Sequence, residues 1–315
     1  MDQSLLSSRA VIGMYYEALA AANGIKWIDG ISNLFGSDQE SETYPWLGMP
    51  PAMREWIGGR QAKGLSGNSI NIINKHFEAT MAVALKDMRR DKTGQLKARL
   101  TEFATRGQTH YASLLSTLIA NGGSSLCYDG QYFFDTDHSE GKSGTLDNDI
   151  TTDISAVPAE VHGVITAPSK EEMLGAITKS ISQFFTFTDD QGEPINEDAQ
   201  SFLVMVPVGL HTAARNALSS TNVIGPGMAS MDGYKIELAV NPRLTAAGWT
   251  DEFVTFRTDG SIKPLIRQEE TSVVLKVKDE NSEHAFDNDE IQIGIDGWHN
   301  VGYGRWQGAV LNTLV

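Results

Sequence analysis

From Leu96 onward, apolar or small residues return every three or four positions: Leu96, Leu100, Phe103, Gly107, Tyr111, Leu114 and Leu118, with Leu115 and Ile119 widening the stripe. Only an α-helix brings residues at that spacing onto one face. Asn121-Gly122-Gly123 closes it with residues that end helices. The spacing predicts one amphipathic rod over residues 94–121. Roughly 26 residues at 1.5 Å each would span about 39 Å. Such a rod is longer than an average helix and suits a spine on which sheets are mounted.

The rest of the chain reads as α+β. Ala10 to Ala22 predicts a short helix ended by Asn23-Gly24, and Gly36 to Thr43, polar and acidic, predicts a link. Met81, Val83 and Leu85 alternate as in a half-buried strand within Ile70 to Met88. The basic residues Lys86, Arg89, Arg90 and Lys92 that follow predict a solvated face. Ser139 to Asp153 and Asp189 to Asp198 are expected as exposed loops. Ser169-Lys170-Glu171-Glu172 is a capping box for a second helix, whose apolar face is Met173, Ile177, Ile181, Phe184 and Phe185. Phe202 to Val206 predicts a buried strand stopped by Pro207, and His211 to Leu218 a third helix. Tyr234–Val240, Phe253–Arg257, Ser272–Val277 and Glu290–Ile295 have strand composition. Near the end, Val301, Tyr303 and Arg305 alternate with small residues, which predicts a strand in close contact with other backbone.

One segment fits no regular element. Tyr44 to Trp56 and the following Gly58-Gly59-Arg60 hold three prolines and three glycines, yet carry Trp46, Met49, Met53 and Trp56. Such side chains need a surface to bury against. Either the loop folds onto its own domain, or it docks on a neighbouring subunit, where Trp and Arg are favoured anchors. The second reading makes Trp46, Met53, Arg54, Trp56 and Arg60 candidate inter-subunit contacts, with Gly64 to Asn68 suited to the tip of a long hairpin.

Composition narrows the function. The 315 residues carry 40 acidic and 25 basic side chains, a formal charge of −15. A dedicated nucleic-acid binder neutralises phosphates with Lys and Arg, so this balance argues against one. No run of about 18 apolar residues occurs, and Met1-Asp2-Gln3-Ser4 lacks the features of a secretory signal. The single cysteine, Cys127, cannot close a disulfide within the chain.

No catalytic, metal or cofactor centre is expected. Cys127, Asp129, Asp135, Asp137 and His138 do not make the paired ligands of a zinc site or the twelve-residue pattern of a calcium loop. A cysteine nucleophile would need a base such as His110, His138 or His162. The plainer reading of Cys127, beside Tyr128, is a small buried hydrophobe. Gly225-Pro226-Gly227 and Gly302-Tyr303-Gly304-Arg305 lack the rest of a phosphate-binding loop, and no Gly-x-Ser-x-Gly or His-Glu-x-x-His occurs.

The order of motifs resembles one family. Tyr44-Pro45-Trp46-Leu47-Gly48 precedes Met53-Arg54-Glu55-Trp56-Ile57-Gly58-Gly59-Arg60, then Asn74-Lys75-His76-Phe77-Glu78, then Cys127-Tyr128-Asp129-Gly130-Gln131-Tyr132-Phe133-Phe134 leading to His138. With Trp298 to Leu311 these are similar to the Mu-like prophage major head subunits. That resemblance implies an HK97-type capsid fold: an N-terminal arm at 1–43, an E-loop region at 44–92, a peripheral domain with the spine helix at 93–154, an axial domain at 155–260, and strands returning to the peripheral domain at 261–315. It implies a protein that assembles as hexamers and pentamers into an icosahedral phage head around double-stranded DNA, built in the bacterial host cytoplasm. A separate scaffolding protein, a portal and a decoration protein would be its partners. Covalent Lys–Asn cross-links occur in some related shells, but nothing here marks a pair for Lys63. The alternatives are an encapsulin-like nanocompartment, which shares the fold, and a soluble cysteine hydrolase.

Overall fold

In the computed structural model, which describes residues 8–21, 25–44, 69–90, 94–220 and 234–315, the chain opens with helix α1 (Ser8–Ala21) and a single-turn α2 (Trp27–Ile31). Of the expected polar link at Gly36–Thr43, residues 37–40 are a connection and the two ends are strand. Strand β1 (Ser32–Gly36) runs to its start and β2 (Ser41–Tyr44) begins within it. Its backbone is not left to water: Ser37 N donates to Glu269 O at 2.9 Å, and Glu40 O accepts from Asn74 N at 2.8 Å. Next come β3 (Ile70–Ile73) and β4 (Lys75–Ala84). The alternation expected through Leu85 stops at Ala84, because Leu85 N is taken by Asp289 O (2.9 Å) and the chain turns into α3 (Leu85–Arg90). This turn buries Met88 against Val83, Leu96 and Leu100.

The expected rod is two helices, α4 (Gln95–Gln108) and α5 (His110–Ala120), which share Thr109 as end and beginning. Gly107 carries the weakest helix propensity in the stripe, and the Thr109 hydroxyl donates to Arg106 O at 3.2 Å. A side chain at 107 would also press on Ile295, its Cβ standing 3.2 Å from Cδ1. Beyond the break the buried line moves. Leu96, Leu100 and Ala104 are buried in α4, but Ala112, Leu115 and Ile119 in α5. Tyr111 and Leu118, the residues that periodicity singled out, are only partly buried.

Strand β5 (Asp149–Thr152) follows a long irregular stretch and begins inside the loop expected at Ser139–Asp153. Helix α6 (Lys170–Phe184) opens on the capping box that its sequence announces: the Ser169 hydroxyl accepts from Glu172 N, and Ser169 N donates to Glu172 Oε2 at 2.7 Å. Strand β6 (Ser201–Val206), α7 (His211–Ser220), β7 (Lys235–Val240), α8 (Pro242–Ala246), β8 (Glu252–Arg257), β9 (Leu265–Lys278), α9 (Glu283–Asn288), β10 (Glu290–Tyr303) and β11 (Ala309–Leu314) complete the chain.

The strands form two main sheets and a ribbon. One sheet has the order β1-β9-β10-β4, the other β5-β11-β8-β6-β7, and β2 pairs with β3. The stretch 261–315, expected to return to one domain, therefore divides: β9 and β10 fill the four-stranded sheet, while β11 sits between β5 and β8 in the other. Gly304 allows that crossing, since a Cβ there would meet Lys263 O at 2.8 Å. A large apolar core including Phe133, Phe184, Phe202, Phe253 and Trp306 spans the five-stranded sheet and its helices. Two smaller clusters seat α4 and α1 on the four-stranded sheet, around Leu100 with Ile293, and Tyr15 with Ile295.

Glu172 does more than cap. Its buried carboxylate also accepts from Gly163 N at 3.0 Å and approaches His162 Nδ1 at 2.8 Å. Burial alone would raise its pKa, but these donors outweigh that and hold it below the usual carboxylate range. Replacing it strips the partners from two backbone N–H groups. Glu172→Ala is expected to lower stability by about 2–3 kcal/mol in urea denaturation, and Ser169→Ala by about 1 kcal/mol.

Candidate assembly surface

The five candidate contacts, Trp46, Met53, Arg54, Trp56 and Arg60, lie outside the described residues, as do Lys63, the Gly64–Asn68 stretch and Lys92. The platform that carries the Pro/Gly/Trp segment is described. Strands β2 and β3 pair antiparallel, with Tyr44 opposite Ile70 and Ser41 opposite Ile73. The described residues on either side of 45–68 are therefore held side by side.

A buried polar clamp fixes that pairing. Gln268 of β9 is fully buried. Its Oε1 accepts from Tyr44 Oη at 2.7 Å, and its Nε2 donates to Ile72 O at 3.0 Å and Asn74 Oδ1 at 2.8 Å. Asn74 Nδ2 continues the network to Gln39 O at 2.8 Å and Ser37 Oγ at 3.1 Å. Asn300 Nδ2 holds Ile73 O at 2.7 Å from β10. Burial, and then the charge of Glu42, push the Tyr44 hydroxyl up to about 12, so it remains a neutral donor. No spacing in the sequence pointed to this clamp, because Gln268 lies 224 residues from Tyr44 and 194 from Asn74.

The four-stranded sheet carries exposed aromatics that sequence reading also missed. Phe286, on α9 between β9 and β10, is 90% exposed. Trp298 stacks on His76, ring centroids 4.7 Å apart, beside Asp296, which joins His76 (3.2 Å) and Lys276 (2.6 Å). Where this sheet meets the helix break, three rings surround His299: Phe77, His110 and Tyr111, at 4.9, 5.0 and 4.9 Å. His299 is 1% exposed, and neither of its ring nitrogens has a hydrogen-bond partner among the described residues.

Burial decides between the two readings of Cys127, for the small buried hydrophobe. Cys127 is buried with its Sγ 3.6 Å from Gly304 O, and burial, then the charge of Asp129, push its thiol well up. It is no thiolate nucleophile. His138 is equally committed. Asp129 Oδ2 lies 2.6 Å from Nδ1, Asn148 Oδ1 lies 3.2 Å from Nε2, and the ring stacks on Trp306 at 3.9 Å. Both residues are parts of the core.

Comparison with known proteins points to one family. The family model described as Mu-like prophage major head subunit gpT matches residues 8–157 and 245–313. The major head subunit of Mu-like prophage FluMu from Haemophilus influenzae is 30% identical over 137 residues, 44% of this chain and 44% of that protein. The major capsid protein of Escherichia phage Mu is 32% identical over 108 residues, 34% of this chain and 35% of that one. The chain thus spans less than half the length of these curated relatives. Among solved structures, the procapsid of bacteriophage JBD30 matches with a TM-score of 0.56 at 24% identity, over 96% of this chain and 72% of that one. The JBD30 capsid decorated with minor capsid protein trimers matches at 0.51 and 16%, over 96% and 71%. The capsid of Cyanophage P-SCSP1u gives 0.56 and 11%, over 93% and 88%. The fold is the HK97-like α+β capsid fold.

Two measurements probe the platform. Gln268→Leu removes the donor from Ile72 O and Asn74 and the acceptor from Tyr44, and is expected to cost about 2–4 kcal/mol. Hydrogen exchange of the 70–73 amides should quicken more than that of β6. Burial, then the charge of His110, hold His299 down at about 4, against 6.5 for an ordinary imidazole. Its neutral form is therefore native, and stability present above pH 6.5 is lost as pH falls toward 4, by up to about 3 kcal/mol. His299→Phe should flatten the urea-midpoint profile in that window and leave the neutral-pH midpoint unchanged or higher.

Proposed function

The chain belongs to the Mu-like prophage major head subunit family, and from that premise we propose that many copies of it tile the icosahedral head of a tailed phage, as hexamers and pentamers enclosing double-stranded DNA. The carrying observation is the clamped hairpin base. A segment rich in Trp, Met and Arg departs between Tyr44 and Ile70, whose pairing ties both of its ends to the body. A loop secured at its root transmits force to a neighbour instead of dissipating it in its own motion. In this reading Trp46, Met53, Trp56, Arg54 and Arg60 lie across the adjacent subunit, the aromatics burying area and the arginines pairing with its acidic surface. The segment 45–69 is then the E-loop, the four-stranded sheet with α1, α4 and α5 the peripheral domain, and the five-stranded sheet with α6 and α7 the axial domain.

The charge of −15 suits a container that does not grip its contents. A separate scaffolding protein and a portal are further proposed partners, and the decorated JBD30 capsid supports a decoration protein as well. The encapsulin alternative has the fold in its favour, but the matching family is one of phage head subunits. The hydrolase alternative loses its nucleophile with the burial of Cys127.

Electron microscopy of the purified chain should show rings, tubes or shells, and Cys127→Ala should leave them intact. Trp56→Ala should keep the circular dichroism and melting temperature of the subunit while raising the concentration needed for assembly about ten-fold or more. Loss of the subunit's own fold in that variant would place Trp56 in its core. A wild-type chain that stays monomeric under all assembly conditions would overturn the reading.

A further inference from the structure

The turn between β9 and β10 holds up one apolar ring. Phe286 of α9 is 90% exposed, although the short helix beneath it is held at both ends. The Ser282 hydroxyl accepts from Ala285 N at 3.2 Å, Asp289 N donates to Ala285 O at 3.0 Å, and His284 faces Glu290 at 2.9 Å. Ala285 itself is buried. A ring on so fixed a pedestal loses little freedom when it is covered.

The same sheet carries a hole. Between its edge strand β4 and the helix break lies an apolar cavity of about 160 Å³, lined by Phe77, Ala79, Phe103, Gly107, Val273 and Ile295, among others. Exposed Glu78, Ala79 and Arg106 mark its mouth, so it opens to solvent. An apolar cavity of roughly 150 Å³ takes up benzene, so this one has room for a phenyl ring. Phe286 does not reach the hole of its own chain. From Glu290 to Ile295, β10 runs about 17 Å while paired to β4 and β9.

Charge favours a second copy as the source of the ring. From Asp279 to Glu290 the chain has six carboxylates and neither Lys nor Arg. The helix wall of the cavity belongs to α4, where Lys97, Arg99 and Arg106 stand against Glu102 alone. Of the two carboxylates at the rim, Asp296 is already matched by Lys276 and His76, at 2.6 and 3.2 Å, which leaves Glu78. An acidic tip that bears a ring therefore complements a cavity whose helix side is positive.

We propose that Phe286 of one copy seats its ring in this cavity of a second copy, with the acidic tip lying along α4. The contact is head-to-tail: each chain gives its ring to one neighbour and its cavity to another, which builds rings or open arrays. One buried ring contributes about 150–250 Å², against about 800 Å² per partner in a stable interface. The contact is therefore weak singly and counts by repetition. That copies associate at all rests on the reading above; which surfaces meet does not.

Sedimentation velocity of the full chain over a concentration series tests it. Mean mass is expected to rise with concentration. Phe286→Ser, at an exposed position, and Ala79→Phe, which fills the cavity from its own chain, should each raise the half-association concentration about ten-fold. Ala79→Leu takes the place of Ala79→Phe should the latter lower the melting temperature. A 1:1 mixture of the two variants separates this contact from a structural effect. The cavity is intact in one and the ring in the other, so the mixture should regain association that neither variant has alone. Wild-type association in both variants overturns the proposal, and leaves the shell reading standing if particles form. Weakened association in both, without recovery in the mixture, overturns it as well. A wild-type chain that stays monomeric overturns both.

Discussion

Strand β10 must find hydrogen-bond partners along both of its edges, and much of the molecule is arranged to supply them. Its residues from Glu290 to His299 face β4, and those from Gln292 to Tyr303 face β9. A buried strand with one edge unpaired would leave a row of backbone groups without water or protein. Hence β4 is sheet and not loop, and β9 runs antiparallel over nearly its whole length. Ile291, Ile293 and Ile295 on one face of β10 then become the floor on which α4 and α1 rest. Where β10 ends at Tyr303, the chain passes through Gly304 and buried Trp306 into β11 of the other sheet. The same stretch of backbone therefore ties both sheets together.

Polar side chains pin the crossings that apolar packing leaves degenerate. Asn312 of β11 donates to Ala176 O at 3.1 Å and Ser180 Oγ at 2.9 Å, fixing the register of α6 on the five-stranded sheet. Asn148 donates to Phe133 O and Ala309 O, holding the irregular stretch before β5 against the start of β11. Asn241 reaches Ser116 Oγ at 2.9 Å and so joins α5 to the turn before α8. Gln268 does the same for the hairpin base. Leucine would fill each of these volumes, but it would not choose among neighbouring registers, because dispersion and desolvation have no direction.

On the proposed shell reading this division of labour has a mechanical sense. The apolar cores keep the body of the chain rigid, and the polar pins fix the strands β2 and β3 on it. The exposed Phe286 at the far end of the β9–β10 pair and the clamped pair Tyr44 and Ile70 are carried by strands of one hydrogen-bonded sheet or its adjoining ribbon. A displacement at one is resisted through strands continuous with the other.

The sequence by itself determined the elements whose signal is local. The capping box at Ser169 with its apolar face to Phe184, the strand stopped by Pro207, and the helix after His211 all depend on residues within a few positions of one another. Periodicity also located the helical stripe from Leu96 to its close at Asn121 and the strand through Val83, but not the break at Thr109 or the end of that strand. Both were set from outside: Ile295 packs where Gly107 weakens the rod, and Asp289 takes the amide of Leu85. The family motifs carried the fold by resemblance, which composition and spacing alone did not reach. Only the tertiary structure decided between the readings of Cys127 and His138, that 261–315 serves two sheets, and that Gln268 clamps Tyr44 from 224 residues away. Each of these depends on what the chain brings close from afar, and burial, hydrogen-bond partners and charge environment belong to that neighbourhood and not to the residue's own place in the sequence.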